Sequence, residues 1–343
     1  MRVFGWTLKQ GGVEHFRIRE PLRGLRLRGH TVKTGKALSL DIANRFDVIL
    51  VRGLHDHNSM LWRYLAKQGN HLLVYDLDDD IWNFHESTEP YRFWTKYRLT
   101  EAEENIRAAS LVTTASNELA TVLSELNPNV AVVPNTVPSW VVNYLNPPLK
   151  NFTVGWQGAA SQHVEDMRYV LPQVLQFLIL HPDVDLRIYG AGWIEVLEDL
   201  PKAVVDRITF FKFNPDIDAY YRSLFMHVGL APLNPRVAFN WTKSGIRVQD
   251  YSSRGIVSLA QRMPCYDGYL LNGRNGLWID NEKDWIVRLE ELYDAQNLVR
   301  KMGLEARRMA QRWTTEWNAK GLEDLYASAY RISNARTRAT KAG

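Results

Sequence analysis

The chain has 343 residues, 45% of them hydrophobic and 23% charged, with a formal net charge of +4. Such a chain buries a large core and has room for about two domains, which excludes a disordered or peptide-like protein. Its one cysteine, Cys265, excludes an internal disulfide and a thiolate metal cluster and fits a reducing compartment.

Polar residues and glycines follow Met1 to Trp6 at once, unlike a signal peptide. The most apolar run, residues 169–180, is broken by Pro172, Gln173 and Gln176 and is too short to span a bilayer. A cytoplasmic protein is expected.

In chain order, apolar runs alternate with amphipathic stretches as in repeated βα units. Residues 2–6 read as a first strand, followed by a glycine loop at 9–12 and a helix with Phe16, Leu22 and Leu25 on its apolar face. Arg17, Arg19, Arg23, Arg26, Arg28, Lys33 and Lys36 crowd this region, in which Glu20 is the only acid. The region reads equally as a solubilising face and as one that meets an anionic membrane surface or nucleic acid. Further strands are expected near 31–32 and at 46–51, 72–75, 110–114 and 130–133, making a parallel sheet flanked by helices.

Pro147-Pro148 marks a stiff linker, since paired prolines cannot join a central strand. A second series follows, with strands at 152–156, 186–189, 208–211, 227–231 and 256–260 and a helix over 167–180. The final helices, about 303–330, carry Trp313, Trp317, Leu322, Leu325 and Tyr326 and are expected to pack back across the junction, with a frayed polar tail after Ile332. The expected fold class is α/β, two Rossmann-like domains with an interdomain cleft. The expected divisions are residues 1–148, 149–310 and a crossover segment at 311–343.

The segment from Gly229 to Trp278 is the most informative for function. Residues 232–240 read as a loop and Ser244 as the start of a helix, whose free N–H groups and partial positive charge attract phosphate. Lys243 stands at that entrance, with Arg247 and Asp250 at i+4 and i+7 on the same face. An anionic nucleotide, its ribose held by a carboxylate, suits this pattern; a solvated ion-pair face is the competing reading.

The chain resembles the GT-B glycosyltransferases of the large retaining family 4 type over nearly its whole length. The resemblance rests on the order of its motifs: Gly11-Gly12-Val13-Glu14 with Arg28-Gly29-His30, then Val132-Val133-Pro134-Asn135-Thr136-Val137, then Gly155-Trp156-Gln157-Gly158 with His163 and Asp166. Leu186 to Gly190, Asn240, Lys243-Ser244, Arg247, Asp250-Tyr251 and Gly255-Ile256-Val257 complete it.

The resemblance implies a UDP- or GDP-sugar donor, an unidentified acceptor (protein, glycan, lipid or nucleic acid), retention at the anomeric carbon, and no obligatory cofactor or metal. Residue by residue, it implies that Lys243 and Arg247 contact the diphosphate, Asp250 holds the ribose, and Gly11 and Gly12 let backbone approach the donor. Phe211, Lys212 and Phe213 would lie beside the base, and Gly158, Ser161, His163, Asn240, Thr242, Ser244 and Tyr251 would complete the donor side. Thr242 and Asp250 stand where the family usually has two glutamates. The loop from Gln157 to His163 lacks the usual Arg and Lys, which throws more of the phosphate load onto Lys243.

Asp76-Leu77-Asp78-Asp79-Asp80 suggests a metal-binding Asp-x-Asp, but Asp78 and Asp79 read better as acceptor-side groups at a cleft edge. His55 and His57 also follow a strand end and read as polar or acceptor-side groups facing the cleft rather than as a metal pair, with a purely structural role the equal alternative. Two other functions share these features: a nucleotide-sugar epimerase, and a nucleic-acid- or carbohydrate-binding protein on a degenerate transferase fold. The sequence carries no signal of oligomeric state.

Overall fold

The computed structural model describes the backbone of residues 1–342 apart from 9, 10, 198, 199, 213 and 215, and their side chains apart from 195 and 336–342. Two six-stranded parallel sheets form, one from each half of the chain. The first contains β1 (Arg2–Trp6), β2 (Thr31–Gly35), β3 (Val48–Arg52), β4 (Leu72–Asp76), β5 (Leu111–Thr114) and β6 (Val130–Val132), in the order β2-β1-β3-β4-β5-β6. The second contains β7 (Thr153–Gln157), β8 (Asp185–Tyr189), β9 (Ile208–Phe211), β10 (Val228–Ala231), β11 (Val257–Gln261) and β12 (Gly276–Ile279), in the order β12-β11-β10-β7-β8-β9.

The central strands are buried on both faces, which is why they read as continuous apolar runs; Val48, Ile49, Leu50 and Val51 are all at most 1% exposed. In each sheet the strand order reverses beside the first strand of the series, between β1 and β3 and between β7 and β10. Ligands of such sheets bind beyond the carboxyl ends of the strands at that reversal.

The halves are fastened together at several points. Arg254, fully buried, donates to the carbonyls of Val141 (3.1 Å) and Tyr144 (2.8 Å) at the start of the proline linker. Phe239, from the second half, is buried in the core of the first, 4.5 Å from the Phe84 ring. The last helix, Thr315–Ala342, returns to pack on the helix Glu20–Leu27 and buries Tyr326 beneath the first sheet.

Some local expectations change. Residues 238–242 form a 3-10 turn rather than open loop, and the helix expected from Ser244 begins at Ile246, with Gly245 before it. The helix expected over 167–180 starts at Ala160 and runs through Pro172 to Leu180. Trp317 lies 66% exposed instead of packing at the junction, and the terminal helix continues through the tail expected to fray, to Ala342.

The basic stretch is largely neutralised. Arg17 is buried against Asp76, Arg19 meets Glu14, Arg23 meets Glu20 and Glu316, and Arg28 meets Glu323. No described helix is long and apolar enough to cross a membrane.

Candidate active site

β7 ends at Gln157, and the chain turns at Gly158 into the helix Ala160–Leu180. Gly158 has φ 142°, and a Cβ there would lie 2.8 Å from His163 Cδ2, so the turn requires glycine. Gly190, with φ 137°, packs so closely that a Cβ would sit 2.1 Å from the Gly158 carbonyl oxygen. The two glycines bring the helix N-terminus to the end of the sheet, where the Ala160 N–H donates to the Ala191 carbonyl (2.9 Å).

Arg247 occupies the reversal of the second sheet. Its Nε donates to the Gln157 carbonyl at the end of β7 (3.1 Å), and a terminal nitrogen donates to the Pro232 carbonyl just past β10 (2.9 Å). The guanidinium lies 4.4 Å from the centre of the Trp156 ring, and its other nitrogen is 3.4 Å from the His163 ring. Burial and the adjacent Arg247 charge push His163 down to about 4, so the imidazole is neutral at physiological pH.

Asp166, one turn along from His163, holds the loop that leads to Lys243 and Arg247. It takes hydrogen bonds from His163 Nδ1 (2.9 Å), the Asn234 backbone N–H (2.8 Å) and Asn240 Nδ2 (2.6 Å). Asn240 is therefore a buried clamp on its own loop.

Lys243 lies three residues before its helix and reaches across to the first half. Its Nζ is 3.3 Å from Asp79 Oδ1 and 4.0 Å from the centre of the Phe239 ring. Lys243 and Arg52 hold the Asp79 carboxyl below its ordinary value despite its burial. Thr242 presents its backbone carbonyl to Ser116 Oγ (2.6 Å), and Ser244 Oγ accepts from Asn135 Nδ2 (3.1 Å). Asn135 Oδ1 in turn accepts from Arg17 (3.0 Å), which links the donor segment to the Arg17–Asp76 pair in the first core.

Asp250 is 2% exposed and takes hydrogen bonds from the Tyr221 hydroxyl (2.7 Å) and Gln157 Nε2 (3.0 Å). Burial pushes its carboxyl up to about 7, although both donors oppose the shift. Tyr251 is a core residue: its hydroxyl donates to the Leu230 carbonyl (2.9 Å), and its ring fills the space above Gly229. Phe211, half-buried at the end of β9, stacks on Tyr189 at 4.3 Å, and Lys212 beside it is exposed. Phe213 lies outside the described residues.

Facing this group, at the reversal of the first sheet, is a cavity of about 360 Å³. Gly11, Gly12, Glu14, His55 and Asp79 line it from the first half, and Ser161 and Gln162 from the second. His55 Nδ1 lies 2.5 Å from the Gly53 carbonyl, and its ring is 4.7 Å from that of Trp94. His57 is exposed and does not line the cavity.

The aspartates of the Asp-x-Asp stretch point to separate partners. Asp76 binds Arg17 and Thr113, Asp78 binds Arg52 at 2.6 Å, Asp79 binds Lys243, and Asp80 accepts from Asn83 and the Trp82 N–H. Among the described residues, no group of three His, Cys, Asp or Glu side chains is placed to hold a metal ion.

The two reversal points thus face each other, one carrying Arg247 and a helix N-terminus and the other an aromatic-walled cavity. Sucrose-phosphate synthase from Thermosynechococcus elongatus superimposes with a TM-score of 0.71 at 12% identity, over 96% of this chain and 99% of that one. The fold is GT-B. HepE of Anabaena, solved with UDP and glucose, matches with a TM-score of 0.68 at 16% identity, over 96% of this chain and all of that one. A glycosyltransferase from Rickettsia africae matches with a TM-score of 0.67 at 13% identity, over 96% and 98%. No family model and no curated protein sequence matches the chain.

In this GT-B chain the tertiary structure gives contacts to Gln157 and Asp166, which the sequence marked only as parts of a motif: Gln157 holds Asp250 and Asp166 holds His163. Tyr221, which also holds Asp250, and Trp94, in the cavity wall, have no periodic or motif signal that marks them.

Proposed function

We propose that the protein is a retaining glycosyltransferase that moves a hexose-type sugar from a nucleoside diphosphate to an acceptor hydroxyl in the cleft. The observation that carries this reading is Arg247, bonded to the ends of both β7 and β10 beside the N-terminus of the helix Ala160–Leu180. A buried cation next to a helix N-terminus stabilises the charge that collects on a departing diphosphate, and it does so without reorganisation.

In the proposed reaction the bond from the anomeric carbon to the diphosphate oxygen breaks. A bond to the acceptor oxygen forms, and the leaving diphosphate takes the acceptor's proton. Lys243 supplies a second cation, Asp250 receives the ribose hydroxyls in exchange for its bond to Gln157, and Phe211 and Lys212 flank the base. His163 and Ser161 stand where the diphosphate meets the helix. The residues supply this charge without an obligatory metal, and the reading places the enzyme in the cytoplasm. The UDP and glucose named for HepE favour a uridine donor.

The test is calorimetry with UDP and GDP on the wild type, Lys243→Ala and Arg247→Ala. Affinity should fall at least tenfold in each variant. Equal binding by all three proteins would reject the donor site. An epimerase, by contrast, would convert donor with no acceptor present.

A further inference from the structure

We infer that the cavity on the first-sheet side of the cleft takes an uncharged sugar as acceptor and rejects phosphate-bearing molecules. This inference rests on the transferase reading and narrows its acceptor to one chemical class.

Three features of the cavity agree. Its volume of about 360 Å³ falls within the about 300–1,000 Å³ of small-molecule sites. Its walls include the rings of Trp6, Phe84, Phe93 and Trp94, and the Phe93 and Trp94 rings stand edge to face with centroids 5.6 Å apart. Flat rings of this kind cover the C–H faces of a pyranose, whose hydroxyl rim still needs polar partners.

The charged groups among those partners are mostly carboxylates: beside Thr7, His55, Ser161 and Gln162, the cavity is lined by Glu14, Glu89 and Asp79, the last paired with Lys243, while Arg52 in its lining is already bonded to Asp78 at 2.6 Å. Glu14 is only 6% exposed, and its Oε2 accepts no hydrogen bond from the described residues, while Oε1 has only a long 3.4 Å contact with Arg19. A buried acceptor atom left without a donor is costly, and a ligand hydroxyl removes that cost. Burial also raises the Glu14 carboxyl above its ordinary value, as expected of an underpartnered group.

The sign of the charge separates the acceptor classes. A sugar hydroxyl donates to a carboxylate, whereas a phosphate only accepts and is repelled by it. Nucleic acid, phospholipid headgroups and sugar phosphates all present that wrong group. A plain hydrocarbon chain would fit the rings but leave Glu14 unsatisfied.

The experiment uses the full chain loaded with whichever of UDP and GDP binds it. Saturation-transfer NMR then measures methyl glucoside, methyl N-acetylglucosaminide and fructose against glucose 6-phosphate and fructose 6-phosphate. At least one neutral sugar should bind ten times or more tightly than either phosphate. Trp94→Ala should weaken it tenfold or more with nucleotide affinity unchanged, Trp94→Phe should restore part of the loss, and Glu14→Gln should narrow the discrimination against phosphate.

Equal or tighter binding of a sugar phosphate overturns the inference, as does failure of every neutral sugar to bind or indifference to Trp94→Ala. Loss of nucleotide binding in the wild type would instead strike at the donor reading, and the sugar comparison could still be made without nucleotide.

Discussion

Lys243 and Asp79 form an ion pair across the cleft, Nζ to Oδ1 at 3.3 Å, between the donor segment of the second half and the loop after β4 in the first. Both side chains are less than a fifth exposed, so solvent screens the pair only partly. The proposed donor cation is thereby held by a carboxylate that also lines the first-sheet cavity. In the proposed site a diphosphate arriving at Lys243 would compete with Asp79 and free that carboxylate toward the cavity.

A double-mutant cycle tests this competition. Asp79→Asn should tighten nucleoside diphosphate binding several-fold, and Lys243→Ala should weaken it at least tenfold. In the Lys243→Ala background, Asp79→Asn should have little further effect, since the two residues act through one contact. An equal gain in both backgrounds would mean that Asp79 repels the ligand directly.

Stability should fall on mild acidification. His163 and His15 are both pushed down to about 4, chiefly by burial, so the folded chain refuses protons that the unfolded chain accepts below about 6.5. Each contribution is complete above the unfolded value and is lost as pH falls from about 6.5 toward about 4, at up to about 1.4 kcal/mol per unit for each histidine. Urea denaturation between pH 7 and 5 should show the loss, and His163→Asn should flatten it. A profile unchanged by His163→Asn would remove His163 from the account.

Asp250 predicts the opposite slope for folding and a positive slope for binding. Its folded value of about 7 lies above the ordinary 3.8, so the unliganded protein loses stability as pH rises through this interval. Ribose hydroxyls donate to the ionised carboxylate, so nucleotide affinity should rise between pH 6 and 8. Asp250→Asn should flatten the binding profile over that range and leave the folding profile with only the slope of the two histidines. Calorimetry at three pH values in wild type and variant is sufficient, and parallel curves would detach Asp250 from the ribose.

The Arg17–Asp76 pair should behave as a buried structural bridge. Arg17 Nε and its second terminal nitrogen donate to the two Asp76 oxygens at 2.9 and 2.7 Å, with both side chains at most 2% exposed. Arg17→Met alone should cost about 3–5 kcal/mol, because it strands a buried carboxylate. Pairing it with Asp76→Leu should recover much of that loss in denaturant midpoints. A single variant as stable as wild type would contradict the assignment.

Eleven of the twelve strands in the two parallel sheets were legible, the central ones because a strand covered on both faces must be apolar throughout, as at Val48 to Val51 and Val228 to Ala231; β12, Gly276–Ile279, was not. Helix starts were less so: Lys243-Ser244 looks like a helix entrance, but the chain first makes a 3-10 turn that buries Phe239 in the other half. That contact is long-range, and no local propensity encodes it.

The sequence by itself determined the α/β class and the two successive series of strands, because these follow from periodicity along the chain. Only the tertiary structure decided how charge is distributed. Asp76, Glu316 and Glu323, distant in sequence, neutralise the basic stretch, and Asp79 and Lys243 meet across the cleft. Electrostatic energy depends on separation in space, and chain folding sets that separation independently of position in sequence.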